Sequence, residues 1–173
     1  MVTQATEEYI ATRRIGDATV TLINDGIFDA IPLIPWMDAP AAEVRRAVPE
    51  ADASGAIGQS GMIVAHVQIG SALVLIDPGV GDLESGSWLV TELKLRRTRG
   101  VQAGLAASGI RPEQITHVLI THAHDDHFMG ATVPRDGQHI PRYPRARYVI
   151  GRADWVGNPC AGYLTHPCNY INF

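Results

Sequence analysis

The chain has 173 residues, of which 46% are hydrophobic and 18% are charged. This length suits about one domain, and the composition excludes a disordered chain, a collagen and a coiled coil. The formal net charge of −4 argues against a nucleic-acid-binding protein, and no apolar run reaches the ~20 residues of a membrane span. We therefore expect a single domain over residues 1–173, with neither nucleic acid nor a membrane as a partner.

The N-terminal third combines one strand with a proline-rich region. Apolar residues alternate with threonine in residues 18–23, which predicts a strand that ends at the Asn-Asp-Gly turn signal of residues 24–26. Residues 31–49 contain four prolines and predict a loop with a short helix near Ala41–Ala47. The small side chains of residues 51–61 predict a surface loop.

The middle of the chain predicts a hairpin followed by a helical region. Residues 62–69 and 73–76 have strand composition, and the Gly-Ser pair between them suits a two-residue turn. The second strand ends at Asp77, which precedes proline and glycine. Residues 88–107 predict a helical region interrupted by glycines, and Gly109 suits the left-handed position that ends a helix.

The last third contains two more strands. Residues 111–114 predict one helical turn, and residues 115–121 predict a short buried strand. A further strand is expected at Arg147–Ile150, with a helix beginning at residues 153–155. Strands and helices alternate along the chain, which predicts the α/β (α+β) class.

The segment after the 115–121 strand predicts a metal site. It places three of the seven histidines within six positions, and the candidate ligands are His122, His124, Asp126 and His127. Imidazole and carboxylate groups are ligands that zinc, iron and manganese accept. Side chains two residues apart on an extended segment point the same way, so His122 and His124 can bind one ion together. Asp126 and His127 diverge, which would place them on a second ion.

A strand cap or a solvated loop is the alternative interpretation of this cluster. The other histidines lack such a grouping and are expected to be structural or exposed: His66, His117, His139 and His166. The two cysteines, Cys160 and Cys168, are expected to be reduced thiols, and residues 1–8 lack the features of a signal peptide. We therefore expect a cytoplasmic protein.

One pattern resembles the signature of the metallo-β-lactamase superfamily of metallohydrolases: His122-x-His124-x-Asp126-His127. Residues 75–79, 118–121 and 148–155 resemble motifs that accompany the signature in that family. Met129 is a departure, because many members have a glycine there, whereas Gly130 is present. We expect this departure to change loop packing slightly without loss of a ligand.

The resemblance implies an αββα sandwich, of which this chain would contain the N-terminal half to two-thirds. It also implies two metal ions, usually zinc, with iron or manganese as alternatives. His122 and His124 would bind the first ion, and Asp126 and His127 the second. Asp126 would also take or relay a proton, and Asp77 would hydrogen-bond and orient the ligands. The alternative for Asp77 is a plain turn residue.

The activity implied by the resemblance is hydrolysis of a small-molecule substrate by metal-bound hydroxide. The proline-rich stretch after the first strand is most similar to lactonases and organophosphate-hydrolase-like members, which favours a lactone or ester. The alternative enzymes are a glyoxalase-II-like thioesterase and a relative of persulfide dioxygenases. A non-catalytic metal-binding module is the alternative outside the enzymes.

Full members of the family supply three more ligands downstream, namely a histidine, a bridging carboxylate and a final histidine. Only His166 lies far enough downstream here, in a setting without the expected glycines. Cys160 and Cys168 are weaker candidates for replacement ligands. We favour a chain truncated at the C-terminus; the alternatives are a site completed by a partner subunit, as in a homodimer, and a degenerate copy without catalysis.

Overall fold

The computed structural model describes residues 9–29, 40–49, 60–82, 88–91 and 94–157. The described strands, in chain order, are β1 (Ile10–Ile15), β2 (Ala18–Phe28), β3 (Ser60–Ile69), β4 (Ala72–Ile76), β5 (Leu95–Arg97), β6 (His117–Ile120), β7 (Thr132–Arg135), β8 (Gln138–Pro141) and β9 (Arg147–Ile150). The described helices are α1 (Ala41–Ala47), α2 (Trp88–Thr91), α3 (Gly100–Ala107), α4 (Asp125–Phe128) and α5 (Arg152–Gly157). Short 3-10 turns lie at Pro112–Gln114 and Met129–Ala131.

Seven of these strands form one mixed sheet in the order β1-β2-β3-β4-β6-β9, with β5 paired to the end of β2. The strands from β1 to β4 are antiparallel neighbours, whereas β4, β6 and β9 are parallel. Strands β7 and β8 form a separate hairpin. The predicted α/β class is confirmed. The carboxyl ends of the parallel strands lie at one edge of the sheet, where α/β proteins place their ligands.

The turn predicted at residues 24–26 is wrong, because β2 runs through it to Phe28 with a bulge between Asn24 and Gly26. A Cβ on Gly26 would lie 2.6 Å from Cδ1 of Leu95, so a glycine there lets β5 pair closely. Asp25 is buried, and its carboxylate accepts hydrogen bonds from distant parts of the chain. These long-range contacts outweigh the local turn signal.

The helical region predicted at residues 88–107 is divided in the structure. A four-residue helix, α2, comes first, and the short strand β5 pairs antiparallel to β2 before α3 begins at Gly100. Gly109 has a φ of 74°, and its N–H donates to the carbonyl of Ala106, which confirms it as the glycine that ends α3.

Other sequence predictions agree with the structure where it describes them. Helix α1 has the predicted bounds, and β3, β4, β6 and β9 lie within two residues or so of their predicted positions. Ser60 and Gly61 belong to β3 rather than to the preceding loop. The rest of the predicted loops, residues 31–39 and 51–59, lies outside the described residues. So do three candidate ligands: Cys160, His166 and Cys168.

One face of the sheet forms the main core with α3. The buried side chains include Ile23, Val64, Leu75 and Val118 from the central strands. Helix α3 packs closely, because a Cβ on Gly104 would lie 2.6 Å from Cγ2 of Ile23. Within the described residues, no helix is long and apolar enough to cross a membrane.

The opposite face of the sheet has an apolar row that crosses five strands. The strand register aligns Leu22, Ala65, Ile76, Leu119 and Val149 side by side. The two residues at its ends, Leu22 and Val149, are each 43% exposed.

Candidate metal centre

The predicted site residues come together at the carboxyl ends of β4 and β6. Asp77 follows β4 directly, and residues 121–127 follow β6 and lead into α4. The two strands are parallel neighbours, so both segments leave the sheet at the same edge. Asp77 has a left-handed φ of 52°, which turns the chain away from the sheet. Aspartate tolerates this conformation better than most residues do.

The carboxylate of Asp77 connects the two segments through three hydrogen bonds. Its Oδ1 accepts from the N–H of Thr121, and its Oδ2 accepts from the Thr121 hydroxyl, both at 2.8 Å. Its Oδ2 also lies 2.9 Å from Nδ1 of His127. The structure thus places Asp77 against His127, one of the predicted ligands.

These contacts define which ring nitrogen carries the proton in neutral His122 and in neutral His127. The Thr121 hydroxyl has one proton and gives it to Asp77, so it accepts the contact from Nδ1 of His122, 3.0 Å away. His127 likewise donates from Nδ1, because a carboxylate is only an acceptor. In their neutral forms both histidines therefore have a lone pair at Nε2, as a metal ligand requires.

The donor atoms of the four candidate ligands form two pairs. Nε2 of His122 accepts a hydrogen bond from Nδ1 of His124 at 2.9 Å, and Nε2 of His127 lies 3.4 Å from Oδ2 of Asp126. Two ligands of a tetrahedral zinc with bonds of about 2.0–2.1 Å lie roughly 3.4 Å apart. Both pairs therefore have spacings that one ion can bridge with small adjustments.

The three imidazole rings of the cluster are in contact. The ring centroids of His122 and His124 are 4.4 Å apart, and those of His122 and His127 are 3.9 Å apart. Within the described residues, no three His, Cys, Asp or Glu side chains converge on one point that could hold a metal ion. The donors thus form two two-ligand pairs in close contact rather than one three-ligand site.

The electrostatics of the cluster favour a neutral His122. Partial burial, and then the nearby His127 and His124, hold the pKa of His122 below its ordinary value of 6.5. Burial also disfavours the charged form of His127, but its hydrogen bond to Asp77 and the charge of Asp126 outweigh burial and raise its pKa. Burial acts to raise the pKa of Asp77, yet its hydrogen bonds from His127 and Thr121 hold that pKa below the ordinary value.

Asp154 is a site residue that sequence reasoning missed. It lies on α5, after the parallel strand β9, and its Oδ1 accepts a hydrogen bond from the N–H of Ala123 at 3.2 Å. Ala123 stands between His122 and His124, so this contact holds the backbone that presents both rings. The sequence signal was the position of Asp154 just beyond a strand that ends at the same edge of the sheet.

Asp25 is a second missed residue, and it supports the loop that carries Asp77. Its Oδ2 accepts from the N–H of Val80 and its Oδ1 from the N–H of Val101, both at 3.0 Å. A Cβ on Gly79 would lie 2.4 Å from Oδ2 of Asp25, so the loop backbone rests on the carboxylate. No local pattern marks this role, because the partners lie 55 and 76 residues away.

The same loop packs against the end of α4. The N–H of Gly130 donates to the carbonyl of Gly79 at 2.7 Å, and a Cβ on Gly130 would lie 2.0 Å from the carbonyl oxygen of Pro78. Only a glycine fits there. Met129, the departure from the family pattern, is partly buried against both clusters of core residues. With methionine at this position, the four ligand candidates lie in contact with one another.

One protein family matches more than half of the chain. The sequence profile of the metallo-beta-lactamase superfamily matches residues 58–157, which contain the strands from β3 to β9, the loop of Asp77 and the histidine segment. The chain therefore belongs to the metallo-beta-lactamase superfamily. A comparison with curated proteins finds no match.

Several solved structures share the fold. A probable metal-dependent hydrolase from Staphylococcus aureus matches with a TM-score of 0.69 and 22% identity, over 83% of this chain and 50% of that one. AidC, a dizinc quorum-quenching lactonase, matches with a TM-score of 0.63 and 19% identity, over 84% of this chain and 45% of that one. AbOPH, a hydrolase of the beta lactamase superfamily, matches with a TM-score of 0.64 and 25% identity, over 94% of this chain and 53% of that one. The chain thus spans about half the length of these structures.

Proposed function

We propose that this chain provides the metal-binding half of a hydrolase that cleaves small lactones or esters. The observation that carries the proposal is the pair of two-donor clusters, with spacings of 2.9 Å and 3.4 Å, at the edge of the sheet where β4 and β6 end. Membership of the superfamily supports it, as do matched structures that are named hydrolases. The lactonase AidC, at 19% identity, supports the substrate class only through its fold.

In the proposed ligand set, His122 and His124 would hold one zinc ion, and Asp126 and His127 would hold the second; iron and manganese accept the same ligands. The first ion would replace the hydrogen bond between Nε2 of His122 and Nδ1 of His124, which would give up its proton. When bound, the ions supply hydroxide at neutral pH and polarise the carbonyl that it attacks. Asp77 keeps Nδ1 of His127 protonated and so keeps Nε2 available.

Asp126 has a second role in the proposal. Its side chain is 26% exposed and lines a cavity beside His127, so it faces the space that a substrate can enter. A carboxylate there can take up a proton at the oxygen that would not hold the ion, Oδ1, and deliver it to the leaving group. Asp77, at 13% exposure and with three hydrogen bonds, is tied to Thr121 and His127 instead.

A catalytic zinc usually has three protein ligands and a water. Each proposed ion has two ligands from the described residues, so we expect at least one further ligand per ion from elsewhere. Metal binding without turnover would favour the non-catalytic alternative. Turnover of thioesters in preference to esters and lactones would favour the thioesterase alternative.

The experiment measures the metal content of the purified protein by mass spectrometry, together with turnover of esters, lactones and thioesters. We expect about two zinc ions per chain, and we expect His122→Ala to lower both the zinc content and the turnover. His139→Ala is the matched control, because His139 lies on the separate β8 hairpin and contacts Thr132. Protein without bound metal, unaffected by His122→Ala, would overturn the proposal.

A further inference from the structure

A cavity of about 200 Å³ opens beside the second donor pair. Its polar end is formed by Asp77, Asp126 and His127. Its opposite walls are apolar and come from the ends of β2 and β3, where Phe28, Met62 and Ile63 line it. One end of the cavity thus suits the reacting centre of a substrate, and the other suits a hydrocarbon group.

Ile63 forms the exposed part of the apolar wall. Phe28 and Met62 are buried in the second core cluster, whereas Ile63 is 52% exposed and can lose that exposure to a bound group. Gly61, two residues earlier on the same face of β3, also lines the cavity and has no side chain to narrow it. A Cβ there would lie 3.6 Å from Cδ1 of Ile63 and 3.5 Å from Nδ2 of Asn24, at ordinary contact distances.

The size of the cavity limits what it can hold. Pockets for drug-sized ligands span about 300–1,000 Å³, so this one takes only part of a substrate. At ~30 Å³ per water-sized unit, 200 Å³ holds roughly six or seven heavy atoms. This volume suits a short acyl or alkyl chain attached to a carbonyl at the polar end.

We infer that this cavity binds the apolar chain of the substrate, with Ile63 as the wall that selects chain length and Gly61 as the opening that admits it. The inference rests on the proposed function and adds the substrate class: esters or lactones with an acyl chain of about six carbons. Each additional buried methylene contributes about fourfold to binding, so chain length has a measurable effect on kcat/KM.

The chain offers a matched control on the same strand. Ile69 lies on the same face of β3 as Ile63 and is 49% exposed, but it is six residues further along the strand and therefore about 20 Å away. Ile63→Thr and Ile69→Thr are therefore the same chemical change at sites of similar exposure. Gly61→Ala is a third variant, which narrows the opening at ordinary contact distances.

The experiment measures kcat/KM for p-nitrophenyl acetate, butyrate and hexanoate. We expect the wild-type value to rise with chain length, Ile63→Thr to lower the hexanoate value about tenfold more than the acetate value, and Ile69→Thr to match the wild type. Gly61→Ala is expected to lower the hexanoate value in the same selective way. Equal kcat/KM for the three esters, or the same loss from both isoleucine variants, would overturn the inference.

A titration with hexanoate, followed through the isoleucine methyl signals by NMR, separates this inference from the proposed function. We expect hexanoate to shift the Ile63 methyls and to leave those of Ile69 in place. If no ester is turned over but Ile63 still shifts, the proposed hydrolysis fails and the binding site stands. If hexanoate shifts neither residue, the inference is wrong whatever the turnover.

Discussion

Nδ1 of His127 lies 2.9 Å from Oδ2 of Asp77, although the two residues are 50 positions apart in the chain. The contact joins the ends of two parallel strands, and it leaves Nε2 of His127 free toward Asp126. Asp77 also binds Thr121, whose hydroxyl contacts Nδ1 of His122. One carboxylate thereby orients a histidine of each donor pair.

Replacement of Asp77 tests this orienting role. Asn tolerates the left-handed φ of 52°, so Asp77→Asn is expected to fold, but its amide cannot accept all three hydrogen bonds. We expect zinc affinity to fall about 10–100-fold, as for other groups that orient a ligand. Competition with a chelator measures the affinity. An affinity within twofold of the wild type would show that Asp77 is only a turn residue.

Asp154 allows a matched test of the donor pair formed by His122 and His124. Asp154→Ala removes the acceptor for the N–H of Ala123, whereas Asp154→Asn retains a carbonyl oxygen in its place. We expect the alanine variant to lose zinc affinity severalfold and the asparagine variant to stay near the wild type. Hydrogen exchange at the Ala123 amide should accelerate in the alanine variant alone. An alanine variant with the zinc affinity of the wild type would assign Asp154 no role in the site.

The buried carboxylate of Asp25 predicts a large effect on stability. Asp25→Ala leaves the N–H groups of Val80 and Val101 without that acceptor, and each buried unpaired group costs about 1–3 kcal/mol. We expect the free energy of unfolding to fall by about 3 kcal/mol in urea denaturation. Asp29→Ala is the control, since its ion pair with Arg96 is partly exposed and contributes about 0–1 kcal/mol. Equal losses in the two variants would contradict the supporting role of Asp25.

Tyr143 predicts a loss of stability at alkaline pH. Its side chain is fully buried, and burial raises its pKa above the ordinary 10.0 against the smaller opposing effect of a hydrogen bond with Gln102. Because the pKa of Tyr143 is higher in the folded state than in the unfolded state, its contribution to stability is complete below pH 10. That contribution is lost as the pH rises above 10. The slope reaches about 1.4 kcal/mol per pH unit for one group. Urea denaturation from pH 8 to 11 should show a steeper decline for the wild type than for Tyr143→Phe; equal slopes would refute the prediction.

The sequence predicted the elements whose signals are local, and it brought the candidate ligands into one segment. Alternation and turn residues placed β3, β4 and β9, and the spacing within residues 122–127 brought four ligand candidates into one segment. The bulge at Gly26 was missed because it depends on the close approach of Leu95, and β5 was missed because a three-residue strand has too little pattern of its own.

The supporting residues of the site could not be predicted for the same reason. Asp25 and Asp154 act on backbone groups 31 or more residues away, which only the folded arrangement of strands brings near. Asp77 was identified through the family resemblance, and its hydrogen bonds to Thr121 and His127 emerge from the parallel pairing of β4 and β6.

The zinc stoichiometry of Asp126→Ala, measured beside the wild type and His139→Ala, tests the central claim most directly. Two donor pairs on two ions predict that the wild type and the His139→Ala control bind about two zinc ions per chain, and that Asp126→Ala binds about one. An Asp126→Ala protein that binds the same amount of zinc as the wild type, with the same affinity, would contradict the ligand assignment.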